Sequence, residues 1–190
     1  MNQRRQRLVL VGVFALFFIP VLSAWVLRHN PPLVRTVNQG ILLESPRAIA
    51  AAGLQVQHTP YPQLPLLEEA WSVITVAGPA CDDACTENLY ATRQARASVN
   101  KDYGRVRRIL VMTQAISTED LEPITAAHPD LTVVVAPQNW LEAFTRDISH
   151  RTNTFVVDPR GFLFITYPLP TQPADIFKDL KRLLKISAVG

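Results

Sequence analysis

The sequence predicts an α/β domain, a mixed sheet flanked by helices, preceded by one helix long enough to cross a membrane. Three observations carry this. Leu8 to Leu27 is a twenty-residue run without a charge, and from Trp71 onward short β-branched runs alternate with helical stretches. The last two strand-like runs are joined by a tight turn, Asp158-Pro159-Arg160-Gly161, instead of a helix.

The N-terminal run, "LVLVGVFALFFIPVLSAWVL", matches the length needed to cross a ~30 Å hydrocarbon core as a helix. Pro20 and Ala24 would also suit a signal peptide, but Leu22 is larger than the residue usual two positions before a cleavage site, so an uncleaved anchor is expected. Arg4, Arg5 and Arg7 make the preceding tail denser in positive charge than the flank after the run, with Arg28, Arg35 and Arg47. The tail should therefore stay cytoplasmic. The rest of the chain would face an oxidising compartment, and no Arg- and Ser-rich transit peptide precedes the span. The expected address is a bacterial inner membrane, single-pass, with the soluble domain in the periplasm.

Residues 1–28 are thus read as tail and anchor, 29–70 as a linker, and 71–190 as the domain. The linker carries Pro31, Pro32, Pro46, Pro60, Pro62 and Pro65, with "GILLESPRAIAAAGLQVQ" able to supply short strands. In the domain, "WSVITVA" reads as a strand, "CDDACTENLYATRQARASV" as a helix and "VRRILVM" as a strand. "STEDLEPITAAH" opens with capping residues, and "LTVVVA", "QNWLEAFTRDI" and "NTFVVD" follow as strand, short helix and strand. "FLFIT" completes a hairpin, and "PADIFKDLKRLLKI" is a terminal helix with Pro173 near its start. This order suggests a thioredoxin-like fold, which by itself names no reaction.

Composition excludes one class. The net charge is +3 with only 18% charged residues, and several arginines flank the span, so no nucleic-acid partner is expected. The aromatics Trp71, Phe155, Phe162, Phe164 and Trp140, and Met112, are read as core. The basic "KDLKRLLK" is read as a solvated face opposite Ile176, Leu180 and Leu184.

Both cysteines, Cys81 and Cys85, lie where the first domain strand gives way to its helix. If that helix begins between Pro79 and Asp82, the thiols are i and i+4 on one face, with Cβ atoms ~5–6 Å apart, and one soft ion could bridge them. The helix N-terminus favours a thiolate, whereas Asp82 and Asp83 oppose it; capping is the simplest role for that acidic pair. Three readings stay open on spacing alone: a default disulfide contributing roughly 2 kcal/mol, a dithiol redox pair, or part of a metal site. A metal site needs a third ligand. His29 abuts the span, His58 lies in the linker and His128 closes a helix, and each reads as a solvated residue or helix partner. His150, in "SHRTNTFVVDPRG", enters a strand whose preceding loop lies beside the first helix in a thioredoxin-like sheet, within reach of both cysteines.

A membrane-tethered thioredoxin-like domain with Cys-x-x-x-Cys after its first strand and a histidine nine residues ahead of a Pro-x-Gly turn resembles the Sco/SenC copper proteins of cytochrome c oxidase assembly. The shared positions are Trp71, Cys81, Cys85, Leu89, His150, Phe155, Pro159 and Gly161. The departures are Asp82 and Thr86 where the family has proline after each cysteine, and "TQAISTED" in place of its acidic segment. The resemblance implies Cys81, Cys85 and His150 as copper ligands, with oxidase subunit II or other assembly factors as partners. Two thiolates and an imidazole suit Cu(I), although zinc accepts the same set.

Two competing classes stand beside it. A metal-free thiol-disulfide oxidoreductase would use Cys81 and Cys85 as a redox pair, but the residues before the Thr154 strand lack the proline common in that class. A non-catalytic scaffold would keep the fold without its chemistry. A peroxidase would want a threonine where Gly78 and Pro79 stand.

Overall fold

The computed structural model describes residues 3–29, 38–146 and 152–187. The chain divides into two compact units, Met1–Val37 and Asn38–Gly190. In the first, α1 runs over Gln3–His29. Its Val9–Val26 stretch has a mean hydropathy of 2.5 and no buried residue, long and apolar enough to cross a membrane. Pro20 lies inside it, and Ser23 Oγ donates to the Pro20 carbonyl at 2.9 Å.

The second unit is a seven-stranded mixed sheet. In chain order its elements are β1 (Ile41–Ala48), β2 (Gln55–His58), β3 (Trp71–Val76), α2 (Asp83–Ser98), β4 (Val106–Met112), α3 (Thr118–Ala127) and β5 (Leu131–Val135). They are followed by α4 (Gln138–Thr145), β6 (Thr152–Val157), β7 (Phe162–Pro168) and α5 (Pro173–Ile186). The strands lie in the order β1-β7-β6-β3-β4-β5-β2. β3, β4 and β5 are parallel, joined by helical crossovers, whereas β6, β7, β1 and β2 each pair antiparallel. This is the mixed, helix-flanked, thioredoxin-like architecture that the alternating runs implied.

The central strands are buried on both faces, which is why they lack the apolar–polar alternation of a one-sided sheet, and the polar residues they do carry, Ser72, Thr75, Arg107 and Arg108, are buried as well. One face packs Ile74, Ile109, Val134 and Phe155 against Trp140, Leu141 and Phe144 of α4. On the other, Val73, Val106 and Ile165 meet Ile176, Leu180 and Leu184 of α5, and Leu110, Met112 and Val133 meet Leu89 of α2. Trp140 is core, with its Nε1 donating to the Ala50 carbonyl at 2.8 Å. Phe162 departs from expectation: it is 38% exposed, because it opens β7 beside the edge strand and lies beyond the layer in which Phe164 meets Trp71 edge to face.

The segment read as linker does more than connect. β1 and β2 are the two edge strands of the sheet, and β1 is broken by a register shift between Leu42 and Arg47, around Pro46. The chain enters this unit through a clamp. The Asp179 carboxylate of α5 is fully buried and accepts from the Gln39 and Gly40 amides and from the Tyr167 hydroxyl, at 2.8–3.1 Å. A Cβ at Gly40 would lie 2.4 Å from Ile165 Cγ2 and 2.8 Å from the Tyr167 ring, so this close approach requires glycine.

Helix α2 is held to the sheet by buried charge. Asp130 accepts from Arg96 Nη1 at 2.8 Å and from Arg108 Nη1 at 2.9 Å. Arg108 also donates to Thr92 Oγ1 and the Leu89 carbonyl, two α2 groups, while Arg96 reaches the Tyr61 hydroxyl and covers the Tyr103 ring. Burial alone would raise the Asp130 carboxyl, but the two guanidiniums outweigh it and hold it below the ordinary carboxylate range. His128 closes α3 as a buried residue, not a solvated one. Burial first, then the charges of Arg108 and Arg93, pull its imidazole down to about 4.

Candidate functional site

The two cysteines are joined as a disulfide, with Cα atoms 5.2 Å apart. Apolar β3 ends in the core, and the following Gly78-Pro79-Ala80 carries the chain up to Cys81. Asp82 caps α2, its Oδ1 accepting the Cys85 amide at 2.9 Å. The helix therefore begins at Asp83, and Cys81 lies outside it. The expectation of two thiols at i and i+4 on one helical face is corrected by that cap, which ends the extended segment after Cys81. The capping role anticipated for the acidic pair falls to Asp82, while Asp83 sits exposed in the first turn.

The sulfurs have unequal surroundings. Cys85 is 3% exposed and packs with Ala77, Leu89, Leu110 and Met112, whereas Cys81 is only partly buried at the edge of the same cluster. An incoming thiolate meets Cys81 first. Disulfide reduction takes two electrons and two protons: attack on Cys81 Sγ forms a mixed disulfide and releases the Cys85 sulfur as a thiolate, and a second donor thiol then frees Cys81. The Asp82 carboxylate occupies the Cys85 amide, a donor that a helix N-terminus otherwise offers to an anion.

One turn beyond Cys85, Asn88 is 3% exposed and ties α2 to the start of β6. Its Nδ2 donates to Asn153 Oδ1 at 3.0 Å and to Thr154 Oγ1 at 2.6 Å. Thr171 Oγ1 reaches Thr154 Oγ1 at 3.4 Å, which draws the β7–α5 connection into the same buried network. Beside it lies a groove of about 380 Å³ lined by Ala84, Glu87, Asn88, Leu169, Pro170 and Thr171, with a cis Leu169–Pro170 bond. Sequence reading missed Asn88, a lone polar residue on a helix that only its cross-element partners distinguish.

His150 lies outside the described residues. The described histidines are placed elsewhere: His29 bonds the Trp25 carbonyl in α1, His58 sits in β2 and His128 is buried at the end of α3. Among the described residues no group of three His, Cys, Asp or Glu side chains is arranged to hold a metal ion.

The apo Sco1 protein of Thermus thermophilus matches the fold with a TM-score of 0.53 at 18% identity, over 79% of this chain and 99% of that one. Arabidopsis thaliana ScoI, solved with copper bound, matches with a TM-score of 0.51 at 12% identity, over 64% and 88% of the two chains. BsSco, a member of the Sco family of cytochrome c oxidase assembly proteins described as having a disulfide switch, matches with a TM-score of 0.52 at 15% identity, over 80% and 100%. At these identities the likeness concerns the fold, and it falls among the proteins that the motifs resemble. No curated protein matches the chain by sequence. The family model described as the transmembrane-like, thioredoxin-like, C-terminal domain matches residues 71–187, the span that holds β3 to α5 and both cysteines. The chain therefore belongs to this transmembrane-like, thioredoxin-like family.

Proposed function

We propose that this chain is a membrane-anchored, Sco-like thiol protein whose Cys81–Cys85 couple, once reduced, carries Cu(I) with His150 as third ligand. It hands the copper to the copper site of a cytochrome c oxidase. In this reading α1 is a single-pass anchor in a bacterial inner membrane, and the thioredoxin-like unit works in the periplasm, where disulfides persist. The observation that carries the proposal is the pair itself: one partly exposed sulfur and one buried sulfur, joined across the cap of α2.

Copper is here the cargo, and the donor set suits it only in one redox state. As a disulfide the sulfurs offer no thiolate; reduced, they are two soft donors held by one short loop, a set that favours Cu(I). Asn88 supports a role for His150, because it binds Asn153 from a position three residues beyond Cys85, and Asn153 is three residues beyond His150. Oxidation of the pair would expel the ion, so copper release and dithiol chemistry share the same two sulfurs.

The formed disulfide also favours a second reading, metal-free thiol-disulfide exchange with a partner protein. One set of measurements separates the two. The reduced full chain in detergent is titrated anaerobically with Cu(I) against a competing chelator, beside Cys85→Ala and His150→Ala. The disulfide couple is equilibrated in parallel with glutathione buffers. One copper per chain, weakened by both substitutions, is the expected result. Copper binding indifferent to His150 would remove that ligand. No copper binding, with a couple more oxidising than about −300 mV, would leave the exchange reading. A couple below that value without copper would leave a structural staple and a scaffold.

A further inference from the structure

We propose that the basic face of α5 docks the thioredoxin-like unit onto anionic phospholipid headgroups of the bilayer that α1 enters, an inference that rests on α1 being the anchor. Lys178, Lys181, Arg182 and Lys185 recur at the spacing of one helical stripe, and all four are exposed. The opposite side of the helix buries Ile176, Leu180 and Leu184 in the core, so the stripe faces away from the unit. The acidic groups on α5 leave the stripe a net cation. Asp179 is fully buried, is held by Gln39, Gly40 and Tyr167 and pairs with Arg182 at 3.3 Å, and Asp175 stands 3.9 Å from Lys178, so the net positive charge of the stripe comes from Lys181 and Lys185. Lys101 and Asp102 line a groove with Lys181 and Phe177, and Asp102 is paired with Arg105 at 3.0 Å.

Two further observations select a lipid surface as the occupant. The first is connectivity. The same helix clamps the entering chain, because Asp179 holds the amides of Gln39 and Gly40, and only ten residue steps separate Gln39 from His29 at the end of α1. Ten steps span at most about 35 Å, so in an anchored chain the tether to Gln39 is short and raises the effective concentration of headgroups around the unit. The second is Ile186, which closes the stripe at 82% exposure, the amphipathic combination of cations with an apolar residue that suits an interface. Each Lys or Arg held near an anionic leaflet multiplies partitioning roughly fivefold, so Lys181 and Lys185 together contribute about thirtyfold. Docking of this kind would give the Cys81–Cys85 site a constant orientation above the membrane and restrict which partners reach it.

The test uses the full chain, disulfide intact, as an Ile186→Cys form labelled with an environment-sensitive fluorophore. It is placed in nanodiscs of phosphatidylcholine alone or mixed with phosphatidylglycerol. Emission should shift to the blue in the anionic discs at low salt, and the shift should vanish at high salt, where screening removes it. It should also vanish when Lys178→Glu, Lys181→Glu and Lys185→Glu are combined, substitutions at exposed positions whose effect on folding is checked by circular dichroism. Equal emission in the two lipids, or a shift that survives the triple substitution, would overturn the proposal. A response to an acidic polypeptide but not to lipid would overturn it as well. Failure of the chain to enter discs would instead remove the anchor, and this inference with it.

Discussion

Removing the Asp130 carboxylate should cost the domain a large part of its stability. This single anion lies between two guanidiniums, at 2.8 Å from Arg96 and 2.9 Å from Arg108, whose side chains are 2% and 1% exposed. Asp130→Asn keeps the shape but leaves two buried cations without a counter-charge, each already facing the other's field. Breaking a buried pair by removing one partner costs about 3–5 kcal/mol. Against the ~5–15 kcal/mol that a domain usually has, that is a severe loss. Arg108 also holds the Leu89 carbonyl and Thr92 of α2, so the helix that carries Cys85 and Asn88 should loosen along with it. Urea unfolding of the full chain in detergent, followed by tryptophan fluorescence, gives the difference from the midpoint at unchanged slope. In a cycle with Arg108→Met, the double substitution should cost less than the sum of the singles by more than about 1 kcal/mol, because the second change removes one of the stranded cations. An Asp130→Asn cost below about 1 kcal/mol, or an additive cycle, would refute the account of α2 as pinned by this triad.

Acid should destabilise the fold in two phases. His128 is held at about 4, below its ordinary value, so the unfolded chain takes its proton first as pH falls. Stability is therefore full above pH ~6.5 and declines towards pH 4 by up to about 3 kcal/mol, and His128→Leu should flatten that slope. Below that window Asp130 takes over: its depressed carboxyl contributes stability above the ordinary carboxylate range, which is lost as pH falls through the folded value. Gly40→Ala should cost about 1–3 kcal/mol in thermal unfolding, since its Cβ would collide with buried Ile165 and Tyr167; a neutral result would mean that the Gln39–Gly40 clamp yields easily. Reducing the disulfide should cost only about 2 kcal/mol, as expected for so short a loop, and a much larger loss would make the pair a staple.

What the sequence by itself determined is the part written in local pattern. The uncharged run of α1, the apolar runs of β3, β4 and β5, the Asp158–Gly161 turn and the amphipathic α5 are each encoded by neighbouring residues, and they sufficed for the thioredoxin-like order. Ser117 and Asp82 were legible as caps for the same reason, since a cap acts within one turn. What only the tertiary structure decided is non-local. β1 and β2 were legible only as short strands that a linker could supply; their place as the two edges of the sheet was not, because an edge strand is defined by its partner, here β7 and β5 more than seventy residues on. Phe162 reads like its neighbours in β7, but its place at the sheet's end left it open to solvent. The arginines of β4, the aspartate before β5 and the lone Asn88 read as ordinary polar residues until packing set them opposite partners distant in sequence, where burial made each hydrogen bond obligatory. The cysteines show both limits in one place. Their spacing marked the candidate site, but the start of α2, set by the Asp82 cap, put Cys81 outside the helix, and the packing of Cys85 against β4 left Cys81 as the more exposed sulfur.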